Sequence, residues 1–264
     1  MDTPDATHRF PRRAARPLPL IVALTAALAV IAAVVLTGRG PHHESADPAG
    51  NPGPAATGGP GHPTAFRTAG ADLLVLDGVS GRVRIAADAD ADGVSGTFAR
   101  ADGSRARITA RTGRGPAGST VTVVCADGTG TAVPCAGDLS VTVPSRTGLR
   151  LRQTSGQTTL SGLGGRLDVT VASDRLAASG LHPRQAGLTV TSGSADIGFS
   201  HAPDRLSVNA TSASVALRVP PLDGYSVTSA ATSADVRVEV PRHGGGPHVI
   251  ALRTVSGSMA VLPA

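Results

Sequence analysis

The 264-residue chain contains no tryptophan, and aromatic residues make up only 2% of it. A core without large rings must be thin and built from Val, Leu, Ile and Ala. Lysine is absent too, since all 24 basic residues are arginine; this reads as codon usage rather than as a demand for guanidinium chemistry. The net charge of +5 is spread along the chain. Without basic blocks or interleaved aromatics it excludes a nucleic-acid footprint. Only two cysteines occur, Cys125 and Cys135 in VVCADGTGTAVPCAG. With no further ligands nearby they do not make a metal site, and outside the cell they are expected to join as a disulfide across a short hairpin loop. The 33 Gly and 20 Pro imply many turns and little long helix.

One long apolar run is present. Residues 18–36 carry no charge, and at 1.5 Å per residue they are long enough to cross a bilayer as a helix. Arg9, Arg12, Arg13 and Arg16 precede the run, while only Arg39 follows closely. The positive-inside rule then places a short tail, 1–17, in the cytoplasm and everything after the span outside. An uncleaved signal anchor over 18–37 is favoured over a cleaved signal peptide, because no small-residue cleavage site follows Leu36. Residues 38–66, GRGPHHESADPAGNPGPAATGGPGHPTAF, are too rich in Pro, Gly and Ala to bury a core and read as a disordered tether.

From residue 67 the grammar changes to short alternating runs bounded by Gly, Pro or Asp, such as STVTVVC and DLSVTVP. This predicts an all-β domain over 67–264. Its C-terminal part repeats. Taking the serine of each Ser-Gly-like corner as anchor gives Ser155, Ser173, Ser192, Ser212, Ser233 and Ser256, at spacings of 18, 19, 20, 21 and 23 residues. Apolar residues recur at +3, +5 and +7, as in Ala195, Ile197, Phe199 and Val215, Leu217, Val219. Others recur at even offsets upstream, as in Leu188 and Val190. A period near 20 residues is the mark of a solenoid. We therefore expect irregular hairpins over 67–145 and regular coils over 146–264, each coil being two short strands joined at a small corner. Stacking in sequence order would make Arg218 and Glu239 neighbours of opposite charge.

The hydroxyl ladder reads as structural. Small residues suit corners where successive backbones approach, and their hydroxyls can bond neighbouring backbone groups. A nucleophilic serine would need a base and an oxyanion hole, and the chain has no G-x-S-x-G elbow. No catalytic residue and no cofactor is expected. Asp88, Asp90 and Asp92 in DADADG match the first half of a calcium loop, but position 12 is Ala99. They are weak metal candidates, with an acidic hairpin tip as the plainer reading. His182 and His201 both lie nine residues after their anchors, so they are expected to stack on adjacent coils without forming a complete metal shell.

The hairpin VSGRVRIAADADADGVSGTFA, the stretch GDLSVTVPSRTGLRLRQTSGQTTLSGLGGRLDVTVASDRLAASGL and the T-S-x-x-x copies after it together resemble the bacterial putative-adhesin domains of unknown function. The resemblance spans roughly residues 70–264. It implies a stacked β-strand solenoid behind a membrane anchor, and it carries no agreed catalytic residues. The expected role is a cell-membrane protein whose extracellular domain binds or scaffolds at the envelope. Partners would be the membrane itself and envelope polymers or another surface protein. From residue 67 onward 19 Arg stand against 15 Asp plus Glu, which favours anionic polymers. The alternatives are a polysaccharide-active β-helix enzyme using the acidic tip, and an envelope-stress signalling ectodomain.

Overall fold

Alternation of apolar and polar residues marks most strands of this computed structural model. It describes residues 63–264 apart from 105–106, 116–117 and 128. The apolar run at 18–37 and the tether up to residue 62 lie outside the described residues. Among the described residues no helix is long and apolar enough to cross a membrane. The first strand, β1 (Thr64–Ala69), starts inside the stretch expected to be tether. It is followed by β2 (Leu73–Asp88), β3 (Gly93–Arg100), β4 (Arg107–Gly115), β5 (Gly118–Ala126), β6 (Ala132–Val133) and β7 (Cys135–Pro144). The repeats form β8 (Gly148–Ser161), β9 (Leu167–Leu181), β10 (Gln185–Phe199), β11 (Arg205–Val219), β12 (Tyr225–Val238) and β13 (His248–Pro263).

These make one open sheet with the path β1-β3-β7-β2-β8-β9-β10-β11-β13-β12. Its N-terminal end is antiparallel, with β1 on β3 and β3 on β7. From β7 through β2 to β12 every neighbour along the path is parallel. Strand β5 lies parallel to the start of β2, and β4 runs antiparallel on β5.

The strands cannot be straight. Fifteen residues of β10 would extend about 50 Å. The five residues 200–204 that lead to β11 span on the order of 20 Å. Since Arg205 opposes Gln185 at the start of β10, the end of each strand must return close to its beginning. The turn-back is visible in the burial. Ala186, Leu188 and Val190 are buried, then Ala195, Ile197 and Phe199. The five-residue step from Val190 to Ala195 breaks the two-residue period, so the inward face switches at Ser192–Gly193. Each coil is thus a first arm, a corner and a second arm, with both apolar faces turned to one core. The expectation of two separate strands per coil is corrected to a single bent strand, whose ladder resumes at once past the corner.

The serines stand opposite one another as the spacing predicts: Ser155 with Ser173, Ser173 with Ser192, and Ser192 with Ser212. At the C-terminal end the order differs from the sequence. Strand β13 lies between β11 and β12, so Ser256 opposes both Ser212 and Ser233. Arg218 therefore opposes Leu262 rather than Glu239, and it pairs with Asp196 of the preceding coil. Glu239, just past the end of β12, pairs with Arg237.

The corner residue after the serine alternates in backbone handedness from β8 onward, whereas on the β2 side Gly81 and Gly156, which oppose each other, both have positive φ. Along the sheet from β8 this residue runs Gly156, Asp174, Gly193, Ala213, Gly257, Ala234. The glycines have positive φ, +130°, +107° and +100°, and the residues between them do not. A Cβ on Gly193 would stand 2.1 Å from the carbonyl oxygen of Asp174, and one on Gly257 would stand 2.2 Å from that of Ala213. A left-handed corner thus nests against an ordinary one. Sequential stacking would set Ala213 against Ala234; insertion of β13 keeps the alternation.

Candidate functional site

Four of the six corner serines, Ser173, Ser192, Ser212 and Ser256, are hydrogen-bonded at the corner. Ser192 donates to the carbonyl of Ala172 at 2.9 Å, and Ser256 to that of Thr211 at 3.0 Å. Ser173 and Ser192 share a hydroxyl contact at 3.2 Å, as do Ser212 and Ser256 at 3.1 Å. Among the described residues none of the six anchors is hydrogen-bonded to a histidine or a carboxylate, so the geometry offers no base for a nucleophile.

A further rung went unnoticed in the sequence. Ser80 opposes Ser155, and Val83 and Ile85 follow it as buried +3 and +5 residues. VSGRVRIAA carries the same pattern as the later copies, but β3 to β7 intervene before the next one. The coil on the other side of β2 is split. Its first arm is β5, paired with residues 73–76, and its second arm is β7, paired with residues 79–88. The corner between these arms is interrupted by residues 127–134. The Cys125–Cys135 disulfide spans that insertion, with Cα atoms 5.3 Å apart. It closes a loop, as expected, and it also replaces the continuous backbone of a corner. Asp127 orders the loop tip by accepting from the Thr129 hydroxyl at 2.6 Å and from the Thr131 N–H at 3.0 Å. These bonds, the Thr129 hydroxyl first, hold its carboxyl below the usual range.

The acidic tip does not converge. The N–H of Asp90 donates to the Asp88 carboxylate at 2.9 Å, closing a local turn. Asp92 points away to Arg67 at 3.1 Å. No group of three or more His, Cys, Asp or Glu able to hold a metal occurs among the described residues. His182 and His201 do meet across adjacent coils, with ring centroids 5.9 Å apart and edge to face.

A buried polar cluster lies just inside the corner of β8 and β9. Gln153, Thr158 and Asp174 are 2%, 0% and 4% exposed. The Thr158 hydroxyl lies 2.5 Å from Gln153 Oε1 and 2.5 Å from Asp174 Oδ2. Gln153 Nε2 donates to the carbonyls of Gly81 at 3.0 Å and Ser155 at 3.2 Å. One hydroxyl proton cannot serve two acceptors. With Asp174 protonated, its O–H donates to Thr158, which donates to Gln153, and the chain is complete. Burial pushes the Asp174 carboxyl up, offset in part by Thr158 and the N–H of Arg175. Its Oδ1 has no partner. An Asp in a corner otherwise held by Gly or Ala was the available sequence signal.

Both outer faces carry ion pairs and unpaired arginines. On the second arms Arg82–Asp138, Arg218–Asp196 and Arg237–Glu239 pair off, while Arg84 and Arg175 have no side-chain partner among the described residues. On the first arms Arg150 pairs with Asp168 at 3.6 Å and Arg152 with Asp77 at 3.9 Å, while Arg166, Arg205 and Arg253 have no side-chain partner among the described residues. A shallow depression of 220 Å³ lies on this face, bounded by Arg166, Gln185 and Arg205 with Gly187 between them.

No family model matches the chain, and no curated protein matches it. Two solved structures are similar to it. A putative cell adhesion protein from Clostridium sporogenes is 11% identical with a TM-score of 0.47, over 77% of this chain and 99% of that one. A putative adhesin from Parabacteroides merdae is 8% identical with a TM-score of 0.26, over 76% of this chain and 95% of that one.

Proposed function

We propose that the chain is a single-pass membrane protein, N-terminus in the cytoplasm, whose β domain binds or scaffolds at the cell envelope without catalysing a reaction. The observation that carries this reading is the in-register stack. From β8 to β12 each outward position recurs at strand spacing, about 4.8 Å, across parallel neighbours. A surface made of side-chain rows suits a partner that itself repeats, as an envelope polymer does. Corner hydroxyls without a neighbouring base are poor candidates for a nucleophile, and the acidic tip is engaged in a turn and an ion pair.

Cross-linking of the membrane-anchored protein in intact cells tests the reading. It should capture an envelope polymer or a surface protein, and recovery of the chain from the cytosol alone would overturn it. Incubation of the protein with purified envelope glycans tests the non-enzymatic part, which product formation would refute. An enzyme reading would further require loss of that product on substituting Asp88, Asp90 or Asp92.

A further inference from the structure

We propose that the outward row Arg166–Gln185–Arg205, with Gly187 beside it as floor, is a binding site for the oxyanion groups of an unbranched, base-free polyanion lying across the strands. The assignment rests on the envelope-binding reading above and gives it a place on the surface.

Register sets the row. Gln185 opposes Arg205, and Ala186 opposes Leu167, which puts Arg166 opposite Gln185. Leu167, Ala186 and Leu206 are buried, so their predecessors face outward. Two strand spacings separate the Cα atoms of the two arginines by about 10 Å. The next outward row is Asp168, Gly187, Ser207. Its central residue has no side chain, and the gap is the 220 Å³ depression.

The charge around it is unbalanced. Neither Arg166 nor Arg205 has a side-chain partner among the described residues, whereas Arg184 is held by Asp204 at 2.8 Å and Asp168 is shared with Arg150. Two free guanidinium forks, the Gln185 amide and the Ser207 hydroxyl supply donors suited to phosphate or carboxylate oxygens. A second depression of 340 Å³ shares Arg166 and Gln185 and continues past Gly164 and the Arg184–Asp204 ion pair. The donors thus form a track rather than a pocket for one ion. No aromatic side chain lines either depression, so there is no platform for stacked bases, and a polyanion without bases fits better than single-stranded nucleic acid.

The test titrates the full-length chain, in neutral detergent, with poly(glycerol phosphate), polygalacturonate, inorganic phosphate and a single-stranded DNA oligomer. The phosphate or the carboxylate polymer, or both, should bind, with affinity falling as salt rises. Replacing both arginines, Arg166→Gln with Arg205→Gln, should weaken binding at least about tenfold. Gly187→Val should weaken it similarly with no change of charge; a Cβ there meets nothing closer than the Leu167 carbonyl at 3.9 Å, so the backbone tolerates it. Arg82→Gln with Arg84→Gln, on the other outer face, should change it less than about twofold. Unchanged melting curves would confirm that all variants fold. Equal binding by the arginine variant, or an equal loss from the control pair, would overturn the site while leaving the envelope reading intact. Binding of DNA as tight as of poly(glycerol phosphate) would overturn the base-free assignment, and inorganic phosphate binding as tightly as the polymers would overturn the track. If no polymer binds, the site is refuted, and cross-linking in cells still decides the broader reading.

Discussion

Ser212 lies opposite Ser256, with hydroxyl oxygens 3.1 Å apart, although 44 residues separate them. Ser233, which comes between them in sequence, is displaced to the edge strand. The residues that follow the two serines, Ala213 and Gly257, differ in the sign of φ. That difference lets the corners nest, because the carbonyl of Ala213 occupies the space a Cβ on Gly257 would need.

Gly257→Ala should therefore destabilise the fold strongly. An alanine held at φ near +100° is strained, by about 1–3 kcal/mol before any clash with the Ala213 carbonyl is added. Ala213→Gly, at the partner corner, should lose only about 0.5–1 kcal/mol through backbone entropy. Urea unfolding of the two variants gives the comparison. Equal losses would mean that the difference in φ between Ala213 and Gly257 does not govern how these two corners nest.

Asp174 makes stability depend on pH with a defined sign. Its carboxyl is raised by burial, so the folded state holds the proton more tightly than the unfolded chain does. The resulting stabilisation is fully present below the ordinary carboxyl value, about 3.9, and is lost as pH rises through the raised folded value. Asp174→Asn keeps the shape without the charge. It should exceed the wild type in stability by about 1–2 kcal/mol near pH 8, and the gap should close towards pH 3. Wild-type stability that rises relative to the variant as pH is raised from about 3 to about 8 would sink the protonated assignment.

Much of this was legible before any coordinates, because period-two burial leaves a direct record in the residues. The inward positions Leu188, Val190, Ile197 and Phe199 and the register of Ser155, Ser173, Ser192 and Ser212 follow from spacing alone. The place of β13 did not, since a period near 20 residues does not say which of the two last coils pairs with β11. The corner alternation was written in the sequence at Ala213, Ala234 and Gly257 but acquires meaning only once a carbonyl is seen against the missing Cβ. Ser80 was hidden by insertion length. The Arg166–Gln185–Arg205 row required knowing which outward residues find partners.

The disulfide should contribute about 2–3 kcal/mol, the loop-closure estimate for a ten-residue separation. Because it bridges the two arms of one coil, its loss should loosen β5 and β7 before it affects β9 to β11. Hydrogen exchange on the Cys125→Ser, Cys135→Ser variant would resolve this. Protection should fall at Val121 and Val141 and hold at Val190 and Leu217. A uniform loss would mean that the coils unfold as one unit, with the disulfide acting on the whole chain.

Leu217 and Arg218 are chain neighbours on opposite faces, and they separate packing from surface charge most directly. Leu217 is fully buried, so Leu217→Ala leaves a cavity in the core. A loss of about 2–5 kcal/mol is expected. The Arg218 side chain is 44% exposed and pairs with Asp196, itself 59% exposed. Solvent screens such a pair, and Arg218→Ala should lose less than about 1 kcal/mol, less still in high salt. Both are read from the same unfolding curves. A large, salt-insensitive loss at Arg218 would mean that the outer rows hold the coils in register, a role assigned above to the corners and the apolar core.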